Sequence, residues 1–352
     1  MGSYFRKNPK LSKYKITMKI MKKDFDFIAI GDITTDAFIH ITHASVYHDN
    51  KSHEEKLCFT NGAKIPYSFV KVISGVGNSP NAAVSAARLG LKTALVTNLG
   101  DDDNGKDIWK TFKKNNIDNC FVRVHKNKNS NYHYILWYGT ERTILIKHED
   151  YDYTLPDIGE PKWVYLSSIG VNSLVYHEEL VQYFKAHPSI KVAFQPGTYQ
   201  CKLGYEKLKN LYKLTEVFFC NLQEAQIILQ INEPSGIKLA RKISLLGPKI
   251  VVVTDGEKGA YVCDKTNAWF VPVYPTDQLI VERTGAGDSF ASAFTSALAL
   301  NKNIDEALMW GAINAMSVIH YIGSQEGLLS RVKLEKYLKN RPKNYKVEKI
   351  TE

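Results

Sequence analysis

The apolar positions of this chain change rhythm along its length. Phe25–Gly31 (FDFIAIG) is a short, nearly continuous apolar run, the pattern of a buried strand. Residues 37–74 instead alternate apolar and polar positions in short segments, Ala37–Thr42, Lys56–Phe59 and Ser68–Ile73, around the polar stretch His48–Glu55. A period of two predicts hairpins with one face toward solvent. Residues 121–147 repeat that texture: Tyr132–Tyr138 and Arg142–Lys147 flank Gly139, Thr140 and Glu141, a hairpin turn. Between these blocks, Ser79-Pro80 opens a helix over Asn81–Leu89 that Gly90 stops. Thr93–Asn98 reads as a strand and Gly105–Asn115 as a helix.

From about residue 160 the alternation becomes regular. Strands are expected at Trp163–Leu166, Val192–Phe194, Val217–Cys220, Ile250–Thr254, Ala260–Cys263 and Trp269–Val273. Helices are expected at His177–Ala186, Leu203–Leu211, Gln223–Leu229 and Gly236–Leu245, then near 286–300, 304–321 and 331–339. Short apolar strands alternating with helices predict an α/β fold, its mostly parallel central sheet covered by helices on both faces. The two hairpin blocks, about 37–74 and 121–147, would form an extra small sheet beside it, a lid.

Composition narrows the class. The 352 residues are 44% hydrophobic and 23% charged, which fits a folded globular chain. No apolar run approaches the ~20 residues of a membrane span. The five cysteines are scattered without a C-x-x-C pair, as expected of free thiols in a reducing compartment such as the cytoplasm. The N-terminus lacks the apolar core and cleavage site of a signal peptide, and Arg6 stands where a myristoylation motif needs Ser or Thr.

The net charge of +10 is unevenly spread. Residues 1–23 hold eight basic residues and no acid, and 331–352 hold eight basic and three acidic. Residues 24–330 carry 30 basic and 33 acidic residues, a slightly acidic body. Nucleic acid is therefore not expected as a partner of the body, nor is a membrane. Residues 1–23 read as a disordered basic extension, followed by one domain over 24–345.

Two glycine-rich segments carry the chemistry. Glu282-Arg283-Thr284-Gly285-Ala286-Gly287-Asp288-Ser289-Phe290 precedes an Ala/Ser-rich helix. The N–H groups of Gly285, Ala286 and Gly287 at a helix N-terminus make an anion site. Asp288, beside that anion, is placed to accept a proton from an attacking hydroxyl; it also fits an ordinary helix-start residue. Gly75-Val76-Gly77-Asn78-Ser79-Pro80-Asn81 matches neither the Rossmann fingerprint nor the P-loop. Gly77 permits close approach of a ligand, and the amides of Asn78 and Asn81 suit hydroxyls; taken alone, the segment is better read as a plain strand-to-helix turn with Asn near the cap.

Together these segments resemble the two signatures of the PfkB carbohydrate kinase family, the ribokinase-like kinases. VGNSPNAAVSAARLG at 76–90 is similar to the first, and ERTGAGDSF at 282–290 to the second. Other landmarks follow in order. Gly31-Asp32-Ile33-Thr34-Thr35-Asp36 resembles the first-strand motif whose last Asp holds sugar hydroxyls. Asn221-Leu222-Gln223-Glu224 resembles the N-x-x-E motif linked to Mg²⁺ and phosphate. Thr254-Asp255-Gly256-Glu257-Lys258-Gly259 resembles the nucleotide-side turn, and Asn314 the segment beside adenine. The resemblance covers about residues 25–340.

The resemblance implies an ATP-dependent transfer of the γ-phosphoryl group to a primary hydroxyl of a sugar or nucleoside. Asp288 would be the base, and Gly285, Ala286 and Gly287 the anion hole. Asp36, Gly77, Asn78 and Asn81 would bind substrate. Asn221, Thr254, Gly256, Gly259 and Asn314 would bind ATP, and Glu224 with Asn221 would hold Mg²⁺ through water. A homodimer through the lid sheet is a further expectation. A sugar-phosphate kinase and a non-catalytic, basic-tailed binding protein are the alternatives.

There are departures. Val76 replaces a Gly, and Glu282-Arg283 replaces Asp-Thr, which puts a monovalent-cation site in doubt. Gln195-Pro196-Gly197 stands where D-P-N is common. FQPGTYQ and YIGSQEGL resemble the adenosine-kinase-like branch, and Tyr132, Tyr134, Trp137 and Tyr138 offer rings to stack on a base. Bland readings stay open: Asn221 with Glu224 fits a capping box, and Arg142 a solvated hairpin residue.

Overall fold

Two strands buried from end to end, FIAI and WVYL, run side by side at the centre of the protein. The computed structural model describes residues 24–49, 54–139 and 141–350. The extension expected at 1–23 lies outside them. In chain order the first half comprises β1 (Phe27–Ile30), β2 (Thr34–Ile41), β3 (Ser45–Asp49), β4 (Glu54–Cys58), β5 (Tyr67–Val76), α1 (Asn78–Arg88), β6 (Thr93–Gly100), α2 (Asp103–Lys114), β7 (Val122–His125), β8 (Asn131–Tyr138) and β9 (Glu141–Leu145). Then come β10 (Trp163–Leu166), α3 (Leu174–Ala186), β11 (Lys191–Phe194), α4 (Thr198–Leu203), α5 (Tyr205–Leu214), β12 (Thr215–Asn221), α6 (Leu222–Leu229), α7 (Gly236–Ser244) and β13 (Ile250–Thr254). The chain finishes with β14 (Ala260–Cys263), β15 (Ala268–Val271), α8 (Ala286–Ala299), α9 (Ile304–Val318), α10 (Arg331–Lys339) and β16 (Glu348–Lys349).

Ten strands form the large sheet, in the order β16-β15-β14-β13-β12-β11-β10-β1-β6-β7. It is parallel from β13 to β7 and antiparallel at the β14–β16 edge. Successive residues of a strand point to opposite faces, so each strand feeds two cores. Phe27 and Ala29 pack in one with Phe294, Trp310 and Leu334; Ile28 and Ile30 pack in the other with Leu180, Leu211 and Leu239. A sheet covered on both faces needs strands apolar on both sides, which is what β1, β10 and β13 supply.

The small sheet has the order β5-β2-β8-β9. Its β2–β5 and β8–β9 pairs are antiparallel, but β2 and β8 run parallel, so two distant blocks join edge to edge. β3 and β4 form a separate hairpin. The block expected as one lid segment at 121–147 divides. Val122–His125 pairs with β6 in the large sheet, and only β8 and β9 enter the small one. The helix expected at Leu203–Leu211 is two helices, because Gly204 adopts φ +77°, a conformation that breaks the helix.

Candidate active site

The landmarks of the sequence gather at the C-terminal ends of the parallel strands, where open α/β sheets place their ligands. Gly31 follows β1, Gln195 follows β11, Asn221 ends β12 and Thr254 ends β13. Two helices, α1 and α8, pack on each other and begin at the same place, and their first turns meet around Asp288.

Asp288 lies in the first turn of α8 and is buried. Three side-chain amides donate to its carboxylate. Asn78 Nδ2 reaches Oδ1 at 2.9 Å, Gln195 Nε2 reaches Oδ1 at 3.0 Å, and Asn81 Nδ2 reaches Oδ2 at 2.8 Å. Burial pushes its carboxyl above the ordinary carboxylate range, against the opposing pull of the three amides and the Arg142 charge. A carboxylate oxygen has two acceptor positions, so Oδ1 is filled while Oδ2 keeps one among the described residues. Asp288 is thus a held, partly desolvated carboxylate with one lone pair of Oδ2 free among the described residues.

The backbone around it is shaped by glycine. Gly285, the N-cap of α8, has φ +80°, and a Cβ there would meet Ser324 Cβ at 2.3 Å. Gly287 is the opposite case: the nearest atom to a Cβ is Gln195 Nε2 at 4.0 Å, so its missing side chain leaves room beside Asp288. Gly77, N-cap of α1, has φ +120° with Asp32 O 3.0 Å from a Cβ. Of the three expected anion-hole donors, the N–H of Ala286 already reaches Arg283 O at 3.3 Å.

Several residues sit otherwise than the sequence implied. Asn81 was expected to hold substrate hydroxyls, yet its Oδ1 accepts from Ser324 Oγ at 2.9 Å and Gln325 Nε2 at 3.0 Å, while its amide holds Asp288. It orients the base. Asn78 does the same through its amide. Asn314, expected beside ATP, is fully buried inside the helix layer. Its Nδ2 donates to Ser85 Oγ and Ser289 O, and its Oδ1 accepts the N–H of Leu329. Its side chain is wholly enclosed by these partners and presents no surface to a nucleotide.

Asn221 and Glu224 form the capping box: the N–H of Glu224 donates to Asn221 Oδ1 at 2.8 Å and the N–H of Asn221 to Glu224 Oε2 at 2.9 Å. Burial raises the Glu224 carboxyl, the Asn221 N–H lowers it, and the Asp288 charge raises it further. Oε1 stands outside the box. Thr254 leads into the turn at Gly256 and Gly259, whose φ values are +51° and +106°. A Cβ on Gly256 would meet nothing within 4 Å, whereas one on Gly259 would strike Val271 O. That turn is tied to the signature loop by the Arg283–Glu257 ion pair.

Glu282 is buried, and its Oε2 accepts the N–H of Thr284 and Oε1 that of Gly323. Arg142 Nη1, from β9 of the small sheet, lies 3.9 Å from Oε2, and its charge is felt at Asp288. Arg142 therefore reaches toward the signature loop, with its side chain 31% exposed. Gln195 and Arg142 are the residues sequence reasoning missed. Gln195 lay in plain view as a departure from D-P-N, and Tyr165 Oη donates to its Oε1 so that its amide nitrogen faces Asp288.

The rings of Tyr132 and Tyr134 meet tilted, 5.1 Å apart, on one face of the small sheet, while Asp36 pairs in register with His133 on the other. Trp137 packs against His40 and Phe69. Tyr132 and Tyr134 therefore point away from Asp36 and give no platform for a base held there. Among the described residues no group of three or more His, Cys, Asp or Glu forms a ready metal cage, and no helix is long and apolar enough to cross a membrane.

The chain resembles known proteins over most of its length. The profile of the pfkB family carbohydrate kinases matches residues 51–331. The 5-dehydro-2-deoxygluconokinase of Geobacillus kaustophilus is 26% identical over 342 residues, 90% of this chain and 94% of that protein. The ribokinase of Bacillus subtilis is 26% identical over 270 residues, 74% of this chain and 87% of that protein. The structure of Arabidopsis thaliana ribokinase complexed with ribose and ATP superposes with a TM-score of 0.75 at 19% identity, covering 90% of this chain and 99% of that one.

Proposed function

Because the chain belongs to the pfkB family of carbohydrate kinases, we propose that it transfers the γ-phosphoryl group of ATP to a primary hydroxyl of a sugar. The observation that carries this reading is Asp288: a buried carboxylate gripped by three amides, one lone pair free, where two helices begin. In the proposed reaction the hydroxyl donates to Asp288 Oδ2 and loses its proton there as its oxygen attacks phosphorus. The α8 N-terminus and Arg142 offset the charge that builds on the transferring group. Room for that group is left by Gly287.

ATP would lie along the turn at Thr254, Gly256 and Gly259, where Gly256 opens onto free space. Mg²⁺ fits this donor set: Glu224 feels the Asp288 charge, and its Oε1 is outside the capping box. Glu224, with Asn221, would hold the ion through water, and bound there it would neutralise phosphate charge. A monovalent cation at Glu282 would be opposed by the Arg142 guanidinium, whose Nη1 lies 3.9 Å from Oε2. The small sheet, fastened by Lys71 Nζ to Ile322 O at 3.2 Å and Glu326 Oε2 at 3.0 Å, would keep water from the reacting groups. A sugar is preferred over a nucleoside because Tyr132 and Tyr134 face away from Asp36.

The small sheet would also join two copies. Val70, Val72, Tyr134 and Leu145 are exposed on its outer face. ATP consumption measured against D-ribose, D-fructose, 5-dehydro-2-deoxy-D-gluconate and adenosine tests the assignment. Turnover of a sugar supports it, turnover of adenosine alone moves it to a nucleoside, and no ATP consumption with any of them removes it.

A further inference from the structure

The amide of Asn81 could meet Asp288 with either end, since its oxygen and nitrogen are alike in size and opposite in hydrogen bonding. What decides the end lies on the far side of Asn81. Its Oδ1 accepts from Ser324 Oγ at 2.9 Å and from Gln325 Nε2 at 3.0 Å, and its Nδ2 donates to Asp288 Oδ2 at 2.8 Å. The two donors are not equivalent. A hydroxyl donates or accepts, so Ser324 suits Asn81 in both orientations, whereas an amide nitrogen only donates. Gln325 alone selects.

Gln325 is itself held in one orientation. The other hydrogen of Nε2 goes to Gly75 O at 2.8 Å. Turned round, Oε1 would face two acceptors, Gly75 O and Asn81 Oδ1, at once. The main chain of Gln325 is anchored as well, because its O accepts from Arg88 Nη1 at 2.6 Å, which also takes Leu328 O at 2.9 Å. Gln325 and Ser324 are buried, so reversing any of these bonds would leave like groups facing each other away from water. A polar relay thus runs from Gly75 O through Gln325 and Asn81 to Asp288. It starts on β5, the strand whose Lys71 fastens the small sheet to the residues on either side, Ile322 O and Glu326.

Resting on the reading of the chain as a sugar kinase, we propose that Gln325 is a positioning residue of the reaction, which carries the polarity of Gly75 O through Asn81 to the base. With Gln325 in place, Asn81 presents an N–H to Asp288 and favours its charged form. Without it Asn81 is free to turn, and an oxygen beside Asp288 Oδ2 disfavours that form. The protonated carboxyl cannot take a proton from the attacking hydroxyl. The other charged and titratable groups that bear on Asp288 are Arg142 of β9, Tyr165 of β10 and Glu224 of α6, and a change at Gln325 leaves all three in place.

The test is the pH dependence of kcat/KM with ATP and the best acceptor among D-ribose, D-fructose and 5-dehydro-2-deoxy-D-gluconate. Wild type is compared with Gln325→Met, Ser324→Ala, Asn81→Leu and the Asn81→Leu/Gln325→Met double variant. Met keeps the length of Gln without its polar atoms. Gln325→Met is expected to move the rising limb up by about one pH unit, the equivalent of one hydrogen bond to a charged group, with KM for ATP unchanged. Ser324→Ala should keep the limb close to its wild-type pH, and Gln325→Met should add no further shift once Asn81 is Leu. A limb that stays in place in Gln325→Met overturns the proposal. So does an equal shift in Ser324→Ala, or a further shift on the Asn81→Leu background, since Gln325 would then act otherwise than through Asn81. If Gln325→Met shows no cooperative melting transition, Ser324→Ala decides: an unmoved limb supports the proposal and a raised one overturns it. A wild type that consumes no ATP with any acceptor removes the kinase reading itself, and this proposal with it, before a variant is compared.

Discussion

Asp288 owes its chemistry to being surrounded by amides rather than by cations. Three N–H donors hold the charged form in place, yet burial still lifts the carboxyl above its ordinary range. Asp288→Asn keeps the size and removes the basicity, so single-turnover phosphoryl transfer should slow by about 10²–10⁴. Retention of more than about a tenth of the rate would place the base elsewhere. The sign of the pH dependence follows as well. Only the carboxylate can take a proton, so kcat/KM rises with pH through the Asp288 pKa, and the limb lies above the usual carboxylate range. Gln195→Leu removes a donor that favours the charged form and should move that limb to higher pH. A pH–rate profile in which the limb stays put, or moves down, contradicts the role given to Gln195. That Asp288 stands in the first turn of a helix was legible, because glycines precede an Ala/Ser-rich run. Gln195 was not, since an amide has no motif of its own; only its distance to Asp288 gives it meaning. Asn314 failed for the converse reason: position in the chain does not reveal that both ends of its amide are already taken inside the core.

At the scale of elements, the site is a meeting of α1 and α8, with Arg142 of β9 reaching the loop that leads into α8. β9 contributes Arg142, and α8 contributes the base it faces. Arg142→Met should lower kcat by about 10²–10³, the loss typical of one transition-state donor, with KM for the sugar little changed. Arg142→Lys, which keeps the charge without the fork, should recover part of it. A variant with unchanged kcat and a raised sugar KM would make Arg142 a substrate contact instead, and a melting curve shows whether Glu282 tolerates the loss of its neighbour. Most elements were legible because their apolar period was intact, as in β1, β10 and β13. Partnership was less so. Nothing in the alternation of 34–41 and 131–138 states that these strands lie parallel, side by side, because that pairing joins segments far apart in the chain. For the same reason Val122–His125 read as lid, although its pairing is with β6. The break at Gly204 follows from a backbone angle that only the folded turn displays.

For the molecule as a whole, the outer face of the small sheet is the feature that a monomer leaves unexplained. Register fixes which residues share it. Val70 is opposite Ile39, Val72 opposite Ala37, Ala37 opposite Tyr134, and Tyr134 opposite Leu145. Cross-strand partners leave the same side of a sheet, so these residues make one apolar surface, and Val70, Val72, Tyr134 and Leu145 are exposed on it. Contiguous apolar surface of this kind marks an interaction site more often than a free face. Because the opposite face carries Asp36 and His133, a partner seated here would steady the strands that position them. The expected assembly is two copies joined face to face, since a self-complementary patch closes most simply as a two-fold dimer. Sedimentation equilibrium should then give twice the 39.9 kDa of one chain. Val72→Asp places a charge on the β5 side of the surface, and a buried unpaired charge is costly enough to open the dimer. The variant should sediment as a monomer, keep its melting transition within a few degrees, and show a raised KM for the sugar with KM for ATP unchanged. A wild type that sediments as a monomer at every concentration tested ends the dimer proposal. A dimer that Val72→Asp does not weaken moves the interface to another face.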